Sequence, residues 1–335
     1  MWQKSPTNWH DHAEFNANIL PLEKDNRLEH TRSNVTDQNV NANDWGKRFI
    51  RIGKDVIANS IADASCRIAL KRNDFSAGPC QSQEELLKSY ALLYKEYLAR
   101  GYCENNSARL HLNLFAILPS TRTLVLRYRE RIIGTISLIN DSPVGLPMES
   151  LFPREIGRLR QSKRKIAEVG LLALDLEFFG KHRYSLTDLR KFCGLFHLVR
   201  AIINQARYDG NSDIVIAVHP KHEQLYSYIT FKSFGLVKSY SSACGNPALP
   251  MHMNIDYAKS SRFAGKNYLA SFISAYKVPP GKRQFILSQE SLQDLVWLRK
   301  DIFTRLTTPQ LAHLYRCYPK IVLPQPKREL VASLG

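Results

Sequence analysis

The stretch IIGTISLINDSPVGLPMESLFPREIGRLRQSKRKIAEVGLLALD, residues 132–175, decides the fold. Its two ends, Ile132–Ile139 (IIGTISLI) and Ile166–Leu174 (IAEVGLLAL), are apolar runs of strand length. Between them lie Asp141–Pro147 (DSPVGLP), with the proline and glycine of a turn, and the basic run Arg154–Lys165 (REIGRLRQSKRK). Upstream, Thr123–Tyr128 (TLVLRY) joins Ile132–Ile139 across the polar Arg129-Glu130-Arg131, a hairpin by pattern. Further upstream, Glu84–Tyr97 carries Leu86, Leu87, Tyr90, Leu93, Tyr94 and Tyr97 at helical spacing, and Cys66–Leu70 reads as a short strand. Downstream come a long helix over Leu186–Tyr208, with Ser185 or Thr187 as its N-cap, and a buried parallel-type strand, Asp213–Val218 (DIVIAV). A short helix over Lys221–Tyr228 and a last strand, Met251–Ile255, follow. This order fits a mixed sheet with helices on both faces.

Composition narrows the class. The 335 residues are 44% hydrophobic, ordinary for a globular chain able to bury a sizeable core. No run of about 18 apolar residues indicates a membrane span, and the N-terminus shows no basic stretch followed by an apolar segment. Cys66, Cys80, Cys103, Cys193, Cys244 and Cys317 are scattered without a CxxC pair, so they read as reduced thiols, and a cytoplasmic enzyme of bacterial type fits. Residues 1–60 are polar, rich in asparagine and balanced in charge, and read as partly disordered. The excess charge of +17 therefore sits in residues 61–335 and favours an acidic partner, the alternative being a generally basic solvated surface. Nucleic acid is the less favoured acidic partner, since no helix-turn-helix, zinc or RNA-binding signature is present. An anionic membrane surface is another partner open to such a chain.

Residues Ile132–Asp175 resemble the bacterial long-chain N-acyl amino acid synthases and, more distantly, the acyl-homoserine lactone synthases. His219-Pro220-Lys221-His222 followed by Leu225-Tyr226, and GNPALPMHMNID at 245–256, are weaker matches. The resemblance covers roughly residues 61–257. It implies an α/β (α+β) chain of the GCN5-related N-acyltransferase fold, with a mixed, mostly antiparallel sheet and a basic C-terminal helical extension over 258–335. The implied activity is transfer of a long-chain fatty acyl group from acyl carrier protein to the amino group of an amino acid. The co-substrate is then the acyl-phosphopantetheine of the carrier, with no bound cofactor or metal.

Glu168 is the sharpest residue, a carboxylate near the start of an apolar strand. Amide formation needs the acceptor ammonium deprotonated, and a carboxylate can take that proton. The alternative is an ion pair with Arg160 or Arg164. Gly170, inside the same strand, marks a bulge or close backbone approach, or else tight packing against a helix. In the resembling fold this strand is splayed and its backbone receives the pantetheine arm, which assigns Val169, Gly170, Leu171 and Leu172, with Leu138 opposite, to the acyl donor. Leu195 and Phe196 join Leu138, Leu171 and Leu172 as candidate walls of an acyl tunnel, although the same residues would make any core.

Acetyl-CoA users carry a glycine-rich loop for the pyrophosphate before the long helix. Glu177–Ser185 (EFFGKHRYS) has one glycine and two phenylalanines instead, which favours a donor carried on protein over acetyl-CoA. Lys181 and Arg183 lie where the pantetheine phosphate would arrive. In Arg154–Lys165, six basic residues face one acid; Arg158, Arg160, Lys163, Arg164 and Lys165 are candidate docking residues for the acidic carrier. Some of these arginines are alternatively holding the Glu168 region in shape. The proton for the leaving thiolate falls to Tyr226 or Tyr228; alignment on His219–His222 favours Tyr226, whereas alignment on Phe234-Gly235 puts Phe231 there. The i, i+3 pair His219 and His222 lacks a third metal ligand. Thr135–Leu138 has no arginine, unlike the matching strand of the homoserine lactone synthases, which argues for a free amino acid over S-adenosylmethionine.

Overall fold

The expected strand Ile166–Leu174 forms over those nine residues and sits at the centre of an eight-stranded sheet. The computed structural model describes residues 75–179, 186–258, 260, 268–274 and 285–324. The Cys66–Leu70 strand, residues 1–60, Ser185, Lys181 and Arg183 lie outside the described residues.

In chain order the strands are β1 Phe75–Pro79, β2 Thr121–Tyr128, β3 Arg131–Asn140, β4 Ile166–Leu174, β5 Asp213–Val218, β6 Lys232–Ser233, β7 Lys238–Tyr240 and β8 Asn246–Asn254. They run β1-β2-β3-β4-β5-β8-β6, with β7 also on β8. Only β4 and β5 pair in parallel; the other pairs are antiparallel, so the sheet is mixed and mostly antiparallel as expected. The β2–β3 hairpin turns more tightly than its sequence indicated, on Arg129-Glu130 alone, with Arg129 in the left-handed region at φ 54°.

The principal helices are α1 Gln83–Leu98, α2 Leu114–Ile117, α3 Pro153–Gln161, α4 Leu176–Phe179, α5 Leu186–Tyr208, α6 Glu223–Tyr228, α7 Ile255–Ala258, α8 Tyr268–Ser274, α9 Gln289–Leu298, α10 Lys300–Phe303 and α11 Thr308–Cys317. α1 begins where Ser82 Oγ accepts the Glu85 N–H at 3.2 Å, a cap worth about 1 kcal/mol. Its buried Leu86, Tyr90 and Leu93 cover one face of the sheet; α5 covers the other with Leu198, Ile202 and Ile203.

The C-terminal residues complete the first of these faces. Leu292, Leu295, Val296, Phe303 and Leu314 share one core with α1 and with Val125 and Ala173 of the sheet. Hydrogen bonds from Phe285 N to Cys80 O (2.9 Å), Ser291 Oγ to Gln83 Oε1 (2.8 Å) and Tyr318 Oη to Ile117 O (2.8 Å) tie them down. A single helix over Ser291–Leu306 is replaced by α9 and α10, broken at Arg299, whose guanidinium is drawn to Asp301 and the Leu110 carbonyl. α11 went unread although it carries a capping box: Gln310 Oε1 accepts the Thr307 N–H at 2.9 Å.

Candidate active site

Two irregularities of β4 open the site. β4 and β5 pair only from Ile166↔Asp213 to Glu168↔Val215, so from Val169 onward β4 has no strand on that side. On its other side the register with β3 shifts between Ser137↔Gly170 and Thr135↔Ala173, leaving an extra residue on β4. Leu171 takes up that bulge at φ 51°, a left-handed conformation costly for a branched side chain, roughly 1–3 kcal/mol. The bulge turns Leu171 to the α1 face, and Leu172 to the α5 face. Gly170 does not serve helix packing, because a Cβ added there would meet nothing within 4 Å.

A cavity of about 310 Å³ occupies the splay and passes from one sheet face to the other. Its apolar end is Val199, Ile202 and Ile203 of α5, Ile214 and Ile216 of β5, and Ile229 and Phe231. Its polar end is Tyr97, Tyr102, His111, Asn113, His219, His222 and Tyr226. Glu168 is the one Asp, Glu, Lys or Arg among the described residues that line it.

The Glu168 side chain is 5% exposed and accepts one hydrogen bond, from Met148 N at 2.8 Å. Burial pushes its carboxyl up to about 8; the Met148 N–H opposes this and the nearby Glu149 charge adds to it. Neither arginine suggested for it is its partner. Arg160 binds Asp141 at 2.7 Å and also Glu149, and Arg164 binds Asp213. Arg160 thereby fixes the 141–149 turn, whose Met148 amide reaches Glu168, so one of the alternatives raised for the basic run is what the geometry shows. Below this turn Leu146, Met148, Phe152 and Ile156 pack on Ile139, Ile166 and Val215.

Of the candidate residues, the structure brings together Glu168, Val169, Gly170, Leu171, Leu172 and Tyr226. Leu138 does not join them. It is fully buried in the α5-side core opposite Val169, and β3 lends Ile136 and Ile139 to the cavity instead. Leu195 and Phe196 likewise sit in that core and do not line the cavity. Arg160 and Arg164, spent on internal ion pairs, leave Arg158, Lys163 and Lys165 as the exposed members of the docking set. Tyr226 and Phe231, the two residues competing for the acid position, both line the cavity, their rings 5.8 Å apart edge to face. Tyr226 alone of the pair has a hydroxyl, which burial pushes up to about 12, so it stays protonated at neutral pH. Burial and neighbouring cations push His222 down to about 4, and burial with Arg299 does the same to His111, so both rings are neutral.

His111, Asn113 and Tyr102 were not singled out in the sequence. They belong to residues 99–113, which join α1 to α2 without regular structure, and a connection of that length in a compact domain is itself a functional signal.

Comparison with known proteins finds one family and several similar structures. Residues 88–254 match the family described as N-acyl amino acid synthase FeeM. The structure of FeeM, an N-acyl amino acid synthase from uncultured soil microbes, is similar at 26% identity over 59% of this chain and 97% of that one, with a TM-score of 0.47. BjaI, a CoA-dependent acyl-homoserine lactone synthase, is similar at 12% identity over 66% of this chain and 97% of that one, with a TM-score of 0.43. The corresponding values for the AHL synthase LasI are 13%, 54%, 89% and 0.39. No curated protein sequence matches the chain. Residues 88–254, just under half of the chain, thus carry the pattern of the N-acyl amino acid synthase family, and the chain is an acyltransferase built on a mixed, mostly antiparallel sheet with helices on both faces.

Proposed function

We propose that this acyltransferase joins a long-chain fatty acyl group, delivered as the phosphopantetheine thioester of acyl carrier protein, to the amino group of an amino acid. The observation that carries this reading is the cavity in the β4–β5 splay, apolar under α5 and polar around Glu168. The acyl chain fills the apolar end, the thioester lies along the open edge of β4 at Val169–Leu172, and the amine stands beside Glu168.

Glu168 accepts a proton from the acceptor ammonium, and the freed amine attacks the thioester carbonyl. A base near 8 is well matched to an ammonium at neutral pH. Collapse of the tetrahedral intermediate forms the amide and expels the pantetheine thiolate, to which Tyr226 gives its proton, and the second proton of the attacking nitrogen returns to the Tyr226 oxygen.

The donor assignment has support in the connection from β4 to α5. Asp175 and Glu177 stand there, paired with Lys95 at 3.1 and 2.7 Å, and Arg131 reaches Asp175 at 2.7 Å. Phe179 is buried against Gly194 of α5, where an added Cβ would come within 3.2 Å of its ring. Carboxylates and a packed phenylalanine make a poor cradle for pyrophosphate, whereas a carrier-bound donor brings none. Among the described residues no helix is long and apolar enough to cross a membrane.

The test is to incubate the full chain with acyl carrier protein loaded with C12–C16 chains and an amino acid mixture, reading products by mass spectrometry. An N-acyl amino acid is the expected product, with no methylthioadenosine released when S-adenosylmethionine is supplied. Turnover of acetyl-CoA, with no N-acyl amino acid from the carrier-bound donors, overturns the reading.

A further inference from the structure

A second cavity, of about 860 Å³, adjoins the first and shares Tyr102, His111, Asn113, Pro147 and Tyr240 with it. Pro147 precedes Met148, whose amide holds Glu168, so the shared wall stands next to the reacting carboxyl. The far wall lies beyond residues 88–254: Arg299, Asp301, Ile302, Arg305, Leu306 and Gln310, all from the C-terminal helical unit, form it. Where the first cavity is mostly apolar, this one is about evenly polar and apolar and holds several charged groups.

Most of that charge is already matched. Glu149 is held by Arg160, and Asp301 takes a two-pronged bond from Arg299 at 2.9 and 2.7 Å. Arg299 also donates to the Leu110 carbonyl, which clamps the C-terminal unit to the segment that presents His111 and Asn113. Glu104 and Arg305 remain, both exposed. Among the described residues no side-chain hydrogen bond or ion pair holds the Arg305 guanidinium; Asp301, whose carboxyl feels the Arg305 charge, is committed to Arg299.

We propose that this second cavity receives the polar end of the acceptor, and that Arg305 is the cation selecting an acceptor that bears a carboxylate. The inference rests on the acyl-transfer reading above. An acyl chain lying in the first cavity closes the α5 side to the acceptor, and the shared wall is the remaining polar route to Glu168. A guanidinium suits the end of that route, since its planar fork binds a carboxylate through two parallel bonds. Arg299 is a positioning residue, acting through Asp301 and the 110–113 segment. The C-terminal helices thus complete the acceptor half of the site, whose other wall, like the acyl half, comes from residues 88–254.

The test is calorimetric binding of N-dodecanoylglycine and of its carboxamide to the full chain and to Arg305→Met and Arg305→Lys. Expected is an acid about tenfold tighter than the amide in the unaltered protein, a preference lost in Arg305→Met and partly kept in Arg305→Lys. Unchanged amide affinity in both variants is expected as the control for folding. Both ligands bound without preference, or with the preference intact in Arg305→Met, overturns the assignment of Arg305 and leaves the acyl-transfer reading standing. Binding of neither ligand to the unaltered protein overturns both.

Discussion

Asp213 and Glu168 are two buried carboxylates on neighbouring parallel strands, within the short stretch where β4 and β5 still pair. Asp213 is surrounded by donors: Arg164, His252 and Ser212 Oγ, the last at 2.6 Å. Those hydrogen bonds overcome its burial and hold its carboxyl below the usual range. Glu168 has one backbone amide, and its carboxyl is pushed the other way, up to about 8. The cation that could have quenched it, Arg160, stands on α3 and is committed to Asp141 and Glu149 of the adjoining turn. Burial alone therefore does not set which way a carboxyl shifts. The supply of cations does: Asp213 latches the end of the sheet, and Glu168 is left able to exchange a proton.

The largest effect that separates the two comes from neutralising each in turn. Glu168→Gln keeps the shape and the Met148 hydrogen bond but removes the base, so kcat should fall by about 10³-fold with the donor KM little changed. Asp213→Asn should leave the kcat of folded enzyme within a few-fold and instead cost roughly 3 kcal/mol of stability, read by urea unfolding, because Arg164 loses its counter-charge and the contact with His252 is weakened. Loss of turnover in Asp213→Asn without loss of stability breaks the comparison.

The pH dependence of the pair should run in opposite senses. For Glu168 the folded value lies above the unfolded one, so the folded state holds the extra proton and stability declines as pH rises from about 4.5 to about 8. Glu168→Gln escapes that decline and should gain on the unaltered protein across this window. Asp213, lowered on folding, stabilises above its unfolded value, and that contribution is lost as acid titrates it. In turnover, kcat/KM should climb about tenfold per pH unit to a plateau near pH 8. A flat profile from pH 6 to 9 would mean that Glu168 is not the base.

That contrast shows how far the sequence can be read. Strand Ile166–Leu174, helix Leu186–Tyr208 and strand Asp213–Val218 were legible to the residue, because apolar period and β-branching are local properties. Glu168 was legible as a misfit, and Gly170 as a break in its strand. What was not legible depends on distant partners. Leu138 has the same local pattern as Ile136, and only the assembled sheet shows that Ile136, at the β3–β4 register shift, lines the cavity while Leu138 does not. Arg160 and Arg164 look identical to Arg158 in a basic run until Asp141, Glu149 and Asp213 are placed beside them. The acceptor side was hidden further, since Arg299 and Leu110 meet across 189 positions of sequence.

A smaller effect tests the other end of the reaction. Tyr226→Phe should lower kcat by about 10- to 100-fold with a pantetheine thioester, whose thiolate leaves slowly without a proton. With an aryl thioester, whose thiolate is stable unprotonated, the variant should approach the unaltered enzyme. An equal loss with both donors would assign Tyr226 to the cavity wall, as with its neighbour Phe231.

The smallest effect concerns the basic run itself. Arg158, Lys163 and Lys165 are exposed, and an acidic carrier docking there would meet them through solvent, where each charge contributes little and salt screens it. Lys163→Glu with Lys165→Glu should raise KM about three- to fivefold for the carrier-bound donor at low salt. The rise should vanish in 0.5 M salt and with free acyl-pantetheine, which has no protein surface to dock. The internal arginines should behave otherwise. Arg160→Gln frees Asp141 and Glu149, loosens the turn that presents Met148 to Glu168, and should lower kcat with both donors at any salt. A salt-sensitive, carrier-specific effect at Arg160 would place the docking surface over the turn and make Arg160 serve the partner as well as the fold.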